Sequence, residues 1–175
     1  MLPARATGAR LFLAAFKVPL MRRATLLFPF ISAVAFSQSP VKLDPVKWTA
    51  HTELGTNGEV DLKAMAVMEE GWHVYALTLP RNDGPLPTII AHEPSSDYEL
   101  VGSIAEDKPE EVEDPNFAML VRYHSHKASF GQRIKRNSPA AFDVKGTVEY
   151  MACNDHMCLP PVTVPLVFKV EAAAQ

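Results

Sequence analysis

The only two cysteines in the 175-residue chain lie five positions apart, in Tyr150-Met-Ala-Cys153-Asn-Asp-His-Met-Cys158-Leu-Pro-Pro161. Two sulfurs this close in sequence can bond to each other, share a metal ion, or cycle between dithiol and disulfide. No other part of the chain concentrates as much chemistry. Spacing alone leaves all three readings open and puts a local structural bridge first. Such a bridge at a turn is a modest staple, because closing so small a ring removes only roughly 2 kcal/mol of chain entropy. It is also more open to an attacking thiolate than a bridge across a core.

His156 lies between the cysteines, so Cys153, His156 and Cys158 offer two sulfurs and a nitrogen, a set suited to zinc or copper. His124 and His126 read as alternating along a strand and so as sharing a face. Against a metal, the second Cys-x2-Cys pair of structural zinc sites is missing, and a cysteine falls where a blue-copper site needs a histidine. The expectation is therefore no metal and no cofactor. Hydrolase signatures are missing too: the chain has no Gly-x-Ser-x-Gly, no phosphate-cradling glycine loop and no His-Glu-x-x-His.

The elements that must carry the pair read as strands. Helical periodicity is weak after residue 40, and short alternating or β-branched runs recur near Val46–Glu53, Glu59–Met68, Trp72–Leu79, Leu86–His92, Tyr98–Ile104, Met119–His124, Ala128–Ile134, Gly146–Ala152 and Val162–Val170. Val60, Leu62, Ala64, Ala66 and Met68 fall on one face of the second run, with Asp61 and Lys63 on the other. Turn signals at Thr56-Asn-Gly58, Glu69-Glu-Gly71, Asn82-Asp-Gly84 and Arg136-Asn-Ser-Pro139 separate the runs. This spacing predicts an all-β, antiparallel sandwich. One connection, Ala105 to Asn116, carries six acidic groups and two prolines, and reads either as a solvated loop or as a functional one. Phe117 follows it directly, as a core anchor or as a cover over a site.

The chain's front end reads as a targeting segment. Met21-Arg-Arg23, the apolar run Ala24 to Phe36 and the small residues Ala35 and Ser37 predict a secretory signal within residues 1–37, with Met21 as a candidate start. Pro29 and the shortness of the run argue against a spanning helix. Residues 38–175 are then a single exported domain, large enough to fold without a staple, in a compartment where disulfides persist. Residues 1–37 hold five basic side chains and no acidic ones, so the domain keeps 12 of 17 basic and all 20 acidic groups, a net charge of −8. That charge disfavours nucleic acid and anionic lipid as partners.

The stretch Val148 to Pro165, with Cys153, Cys158 and Pro160-Pro161, resembles the amino-terminal periplasmic domain of the thiol:disulfide interchange protein DsbD. Gly71-Trp72-His73-Val74-Tyr75 is similar to that family's early strand, and Glu113-Asp-Pro-Asn-Phe117 falls where the family carries an acidic and aromatic cap loop. The resemblance covers residues 45–170 loosely and is specific in the cysteine segment, where the loop is one residue shorter than in the best-known members. It implies an immunoglobulin-like sandwich in which Cys153 and Cys158 are the redox pair and Cys158 meets the partner first. It implies Phe117 as the cap over the sulfurs, with Asn116 beside it, and Glu113, Asp114 and Asp155 as acidic neighbours that disfavour a thiolate. The implied partner is a thioredoxin-like protein or a membrane electron-carrier domain, expected on a separate chain because the sequence reaches Gln175 without either.

Two functions follow as expectations. One is an exported exchange module that relays electrons to periplasmic disulfide proteins. The other is a binding or adaptor sandwich in which the Cys153–Cys158 bond is a clamp. An aromatic side chain packed over the sulfurs favours the first, and sulfurs buried in the core favour the second.

Overall fold

The computed structural model describes residues 43–55 and 58–173. The signal segment, the candidate start at Met21 and the Thr56-Asn57 part of one turn lie outside the described residues. Eleven strands follow in order: β1 (Val46–Leu54), β2 (Glu59–Met68), β3 (His73–Tyr75), β4 (Ile89–His92), β5 (Tyr98–Glu106), β6 (Glu110–Asp114), β7 (Met119–Ser125), β8 (Lys127–Arg136), β9 (Phe142–Tyr150), β10 (Ala152–Cys153) and β11 (Val162–Val170). Their pairing is antiparallel throughout. They form three sheets, ordered β1-β2-β8-β5, β10-β3-β7-β6 and β11-β9-β4. The fold is the all-β, immunoglobulin-like sandwich that strand spacing and resemblance together predict. Among the described residues, no helix is long and apolar enough to cross a membrane.

Alternation explains the main core. Val60, Leu62, Ala64, Ala66 and Met68 are buried along β2, as the period of two requires. They meet Phe130 and Ile134 of β8, and across the sandwich Val144, Val148 and Tyr150 of β9 and Leu166, Phe168 and Val170 of β11. Close approach is needed at one point. A Cβ on the buried Gly146 would stand 2.4 Å from the Ala91 carbonyl oxygen, so only glycine lets β4 lie against β9.

Three expectations change. The segment read as a connecting loop from Ala105 to Asn116 is largely ordered into sheet structure: β5 runs on to Glu106, and Glu110–Asp114 is edge strand β6. An edge strand tolerates charge because one flank stays in water, which is why an acidic composition misreads as a loop. Its carboxylates are anchored: Asp107 accepts from the Ser129 amide at 2.9 Å, and Glu106 Oε2 accepts from the Leu77 amide at 2.9 Å and lies 3.0 Å from His124 Nε2. His126 does not share a strand face with His124. It sits between β7 and β8 at φ 60°, its carbonyl accepting from the Met68 amide, while His124 is buried in β7. The run from Trp72 to Leu79 shortens to β3, and the run from Leu86 starts only at Ile89, because Pro85 and Pro87 have no amide to give a ladder.

Gly146→Ala is expected to lower stability by about 1–3 kcal/mol through overpacking against β4. Urea unfolding, read as a lower midpoint at an unchanged slope, checks this.

Candidate functional site: an edge disulfide under an aromatic turn

Met151 alone separates β9 from β10, so the strand that ends the main core delivers Cys153 to the edge of the second sheet. There Ala152 lies opposite Val74 and Cys153 opposite His73. The chain reverses over Asn154–Met157 and returns Cys158 beside Cys153, the two Cα atoms 4.1 Å apart and the sulfurs bonded. Asn154 builds the reversal: its Oδ1 accepts from the His156 and Met157 amides, both at 2.9 Å, and its own amide donates to the Met157 carbonyl. The Leu159 amide then donates to the Ala152 carbonyl, which closes the hairpin at its base.

The two sulfurs are unequal. Cys153 is fully buried and Cys158 only half so. Cys153 does not belong to the main core. It packs in a second cluster with Tyr75, Met119 and Val121, against which Phe117, Tyr123, Met151, Leu79 and Cys158 rest. Alternation in β3 separates the two clusters: Val74 faces the main core, while His73 and Tyr75 face the cysteine side. The Phe117 ring stands edge-on to Tyr75 at 6.2 Å, and the His73 ring stacks on Tyr123 at 4.3 Å.

Asp114 organises the turn that carries Phe117. It is 2 % exposed at the end of β6. Its Oδ2 accepts from the Tyr75 hydroxyl at 2.6 Å, and its Oδ1 accepts from the Asn116 amide at 2.8 Å and the Phe117 amide at 3.4 Å. Its carbonyl accepts from the Ala118 amide, and Ala118 takes φ 50° to complete the turn. Asn116 Nδ2 then donates to the Asn154 carbonyl at 2.8 Å, tying this turn directly to the cysteine loop.

The rings beside the cysteines lie among carboxylates. Burial pushes the His73 imidazole below its ordinary range, although Asp114, Asp155 and Glu110 pull it back up. Burial, and the hydrogen bond to Asp114, push the Tyr75 phenol well up, so it remains a donor. Burial, together with Glu110, Asp155 and Asp114, also raises Tyr123. Among the described residues, no group of three or more His, Cys, Asp or Glu side chains is placed to hold a metal ion.

The structure thus brings together Cys153, Cys158, Phe117, Asn116 and Asp114, with Asp155 exposed on the cysteine loop. Glu113 is not brought in. It pairs with Leu120, and alternation sends both to the opposite face from Val112 and Asp114. Sequence reading missed His73, Tyr75 and Tyr123 as part of the site. The signal for the first two was their period-two spacing around the apolar Val74.

A disulfide at a sheet edge, in a cluster of its own against which an aromatic turn packs, marks the chain as an all-β domain with one buried and one half-buried cysteine. A family profile described as "Thiol:disulfide interchange protein DsbD, N-terminal" matches residues 41–168, and the chain belongs to that family. Similar solved structures include the reduced amino-terminal domain of DsbD from Neisseria meningitidis, at 19 % identity and a TM-score of 0.46 over 73 % of this chain and 86 % of that one. The amino-terminal periplasmic domain of ScsB from Proteus mirabilis shows 17 % identity and a TM-score of 0.46, over 70 % of this chain and 44 % of that one. A complex of the DsbD and PilB amino-terminal domains from Neisseria meningitidis shows 16 % identity and a TM-score of 0.46, over 75 % of this chain and 87 % of that one. No curated protein matches the chain.

Tyr75→Phe is expected to cost about 1–3 kcal/mol, because it strips Asp114 Oδ2 of its donor inside the protein. Equilibrium unfolding of the two proteins side by side measures the difference. An unchanged midpoint would remove Asp114 from the centre of the site.

Proposed function

We propose that the chain is an exported, periplasmic thiol–disulfide exchange module that relays electrons between a thioredoxin-like partner and disulfide proteins through Cys153 and Cys158. One observation carries this reading above the others: the bridge lies outside the main core, in its own cluster against which Phe117 packs, with Cys158 the more exposed sulfur. Membership of the interchange family supports it.

The chemistry balances as two successive exchanges. In the dithiol form, the Cys158 thiolate attacks one sulfur of a target disulfide, and the other target sulfur leaves with the electron pair and takes a proton. Cys153 then loses its proton and attacks Cys158 Sγ. The mixed disulfide breaks, the intramolecular bridge closes, and the second target sulfur leaves as a thiol. Two electrons and two protons have passed to the target. A thioredoxin-like dithiol restores the reduced pair by the reverse route, attacking Cys158 while the buried Cys153 leaves. Asp114 and Asp155 make the surroundings acidic, which disfavours a free thiolate and keeps the resting dithiol unreactive. Phe117 and its turn act as the cap that a partner must displace.

The clamp reading has one observation in its favour, the complete burial of Cys153. A trapping experiment separates the two. Cys153→Ala leaves Cys158 able to form a mixed disulfide that cannot be resolved, and it is expected to capture a thioredoxin-like protein from a periplasmic extract. Capture of none, with Cys158 shown to be free, would leave the clamp as the function.

The cap has its own test. Phe117→Ala is expected to speed reduction of the bridge by a small phosphine roughly tenfold, the rate equivalent of about 1.4 kcal/mol of lost cover. Stopped-flow reduction at fixed pH measures it.

A further inference from the structure

His73 is given no role by exchange chemistry alone. It is 6 % exposed, and its Nε2 is buried with no hydrogen-bond partner. Asp114 Oδ2 lies 3.8 Å away, too far for a hydrogen bond and already taken by the Tyr75 hydroxyl. We propose that His73 is a pH-sensitive positioning residue for exchange: neutral, it lets Asp114 hold the Asn116–Phe117 turn over the Cys153–Cys158 bridge, and protonated, it releases that turn. The purpose of such a device rests on the exchange reading, whereas its geometry does not.

The groups that face the ring define the balance. Asp114 and Glu110 approach from β6, and Asp155 from the cysteine loop. Tyr75 stands edge-on at 5.3 Å from the same strand, and Tyr123 of β7 stacks at 4.3 Å. Ser125 lies opposite in the ladder, its hydroxyl donating to Glu110. Three carboxylates attract an imidazolium, yet burial outweighs them and keeps the ring neutral below its ordinary range. The closed site therefore binds a proton more weakly than any arrangement in which the ring reaches water. Proton uptake must then shift the population toward that arrangement.

The route to release runs through a shared acceptor. A charged ring has an Nε2–H that needs a partner, and its choices are water or Asp114 Oδ2. Reaching water means moving against Tyr75, which meets the ring edge-on at 5.3 Å and itself backs Phe117. Reaching Oδ2 means competing with Tyr75 for the carboxylate whose other oxygen fixes the Asn116 and Phe117 amides. Both movements disturb the same turn. Acidity thus acts on access to the bridge, separately from its effect on thiolate fraction.

Amide hydrogen exchange on the oxidised protein tests this without any thiolate present. Between about pH 7.5 and 5.5, the protection of the Asn116 and Phe117 amides, corrected for intrinsic exchange, is expected to fall severalfold, in the direction set by the weaker proton affinity of His73 in the closed site. The Met68 amide, bonded to the His126 carbonyl away from the site, serves as the control and is expected to hold steady. His73→Gln, which keeps a polar side chain but does not titrate, is expected to abolish the pH dependence. Should that variant not fold, the His73 ring titration followed by NMR in the wild-type protein must share its midpoint with the loss of protection. A wild-type turn no more pH-dependent than Met68, a dependence that survives His73→Gln, or midpoints that differ would each overturn the proposal. Failure of the exchange reading shows elsewhere, as absence of a trapped thioredoxin-like protein, and leaves these measurements unaffected.

Discussion

The site depends on one buried carboxylate. Asp114 is sunk where an unsatisfied charge is costly, and its two oxygens are met by a phenol from β3 and two amides from its own turn. That requirement fixes the position of Tyr75 in the cysteine cluster and the path of the chain from β6 into β7. It also fixes where Phe117 can rest. An apolar residue at the same position could pack as well but would leave the Asn116 and Phe117 amides without their acceptor and the turn without a defined shape.

The division into two clusters serves the same end. The main core is built from aliphatic and aromatic side chains of eight strands and has no need of a covalent staple. The cysteines can therefore sit in a smaller group whose opening leaves the main core intact. Val74 and its neighbours His73 and Tyr75 are the seam, since one strand of three residues contributes to both clusters. A bond that must be made and broken is held apart from the contacts that hold the fold.

Much of this was legible in the sequence, and what was not has definite causes. Strand β2 was readable because apolar residues occupy every second position from Val60 to Met68, and β11 was readable in full because Pro160-Pro161 marks its start. Strand β6 was hidden because its residues are mostly acidic, and only tertiary pairing with β7 makes such a segment extended. Phe117 and Asn116 were found through resemblance to the cap loop, whereas the inward turn of Asp114 and the outward turn of Glu113 depend on which face of β6 meets Met119 and Val121. No local pattern in a run of like charges tells one acid from the next. His73 and Tyr75 were visible as strand residues, but their proximity to the sulfurs arises from the two-residue pairing of β10 with β3.

The second sheet runs β10-β3-β7-β6, so the disulfide stands on one outer strand and the aromatic turn springs from the other. The Asn116 side chain reaching the Asn154 carbonyl therefore works as a catch joining opposite borders, with the five-pair ladder between β6 and β7 as the hinge. The catch is a single solvent-facing hydrogen bond, worth only about 0.5–1.5 kcal/mol, against a hinge that must break several at once. On the proposed reading, a docking protein has to lift four residues, Pro115 to Ala118, rather than peel a strand. The two borders of the sheet are thus joined across the cysteine loop by far less than joins either to its neighbouring strand.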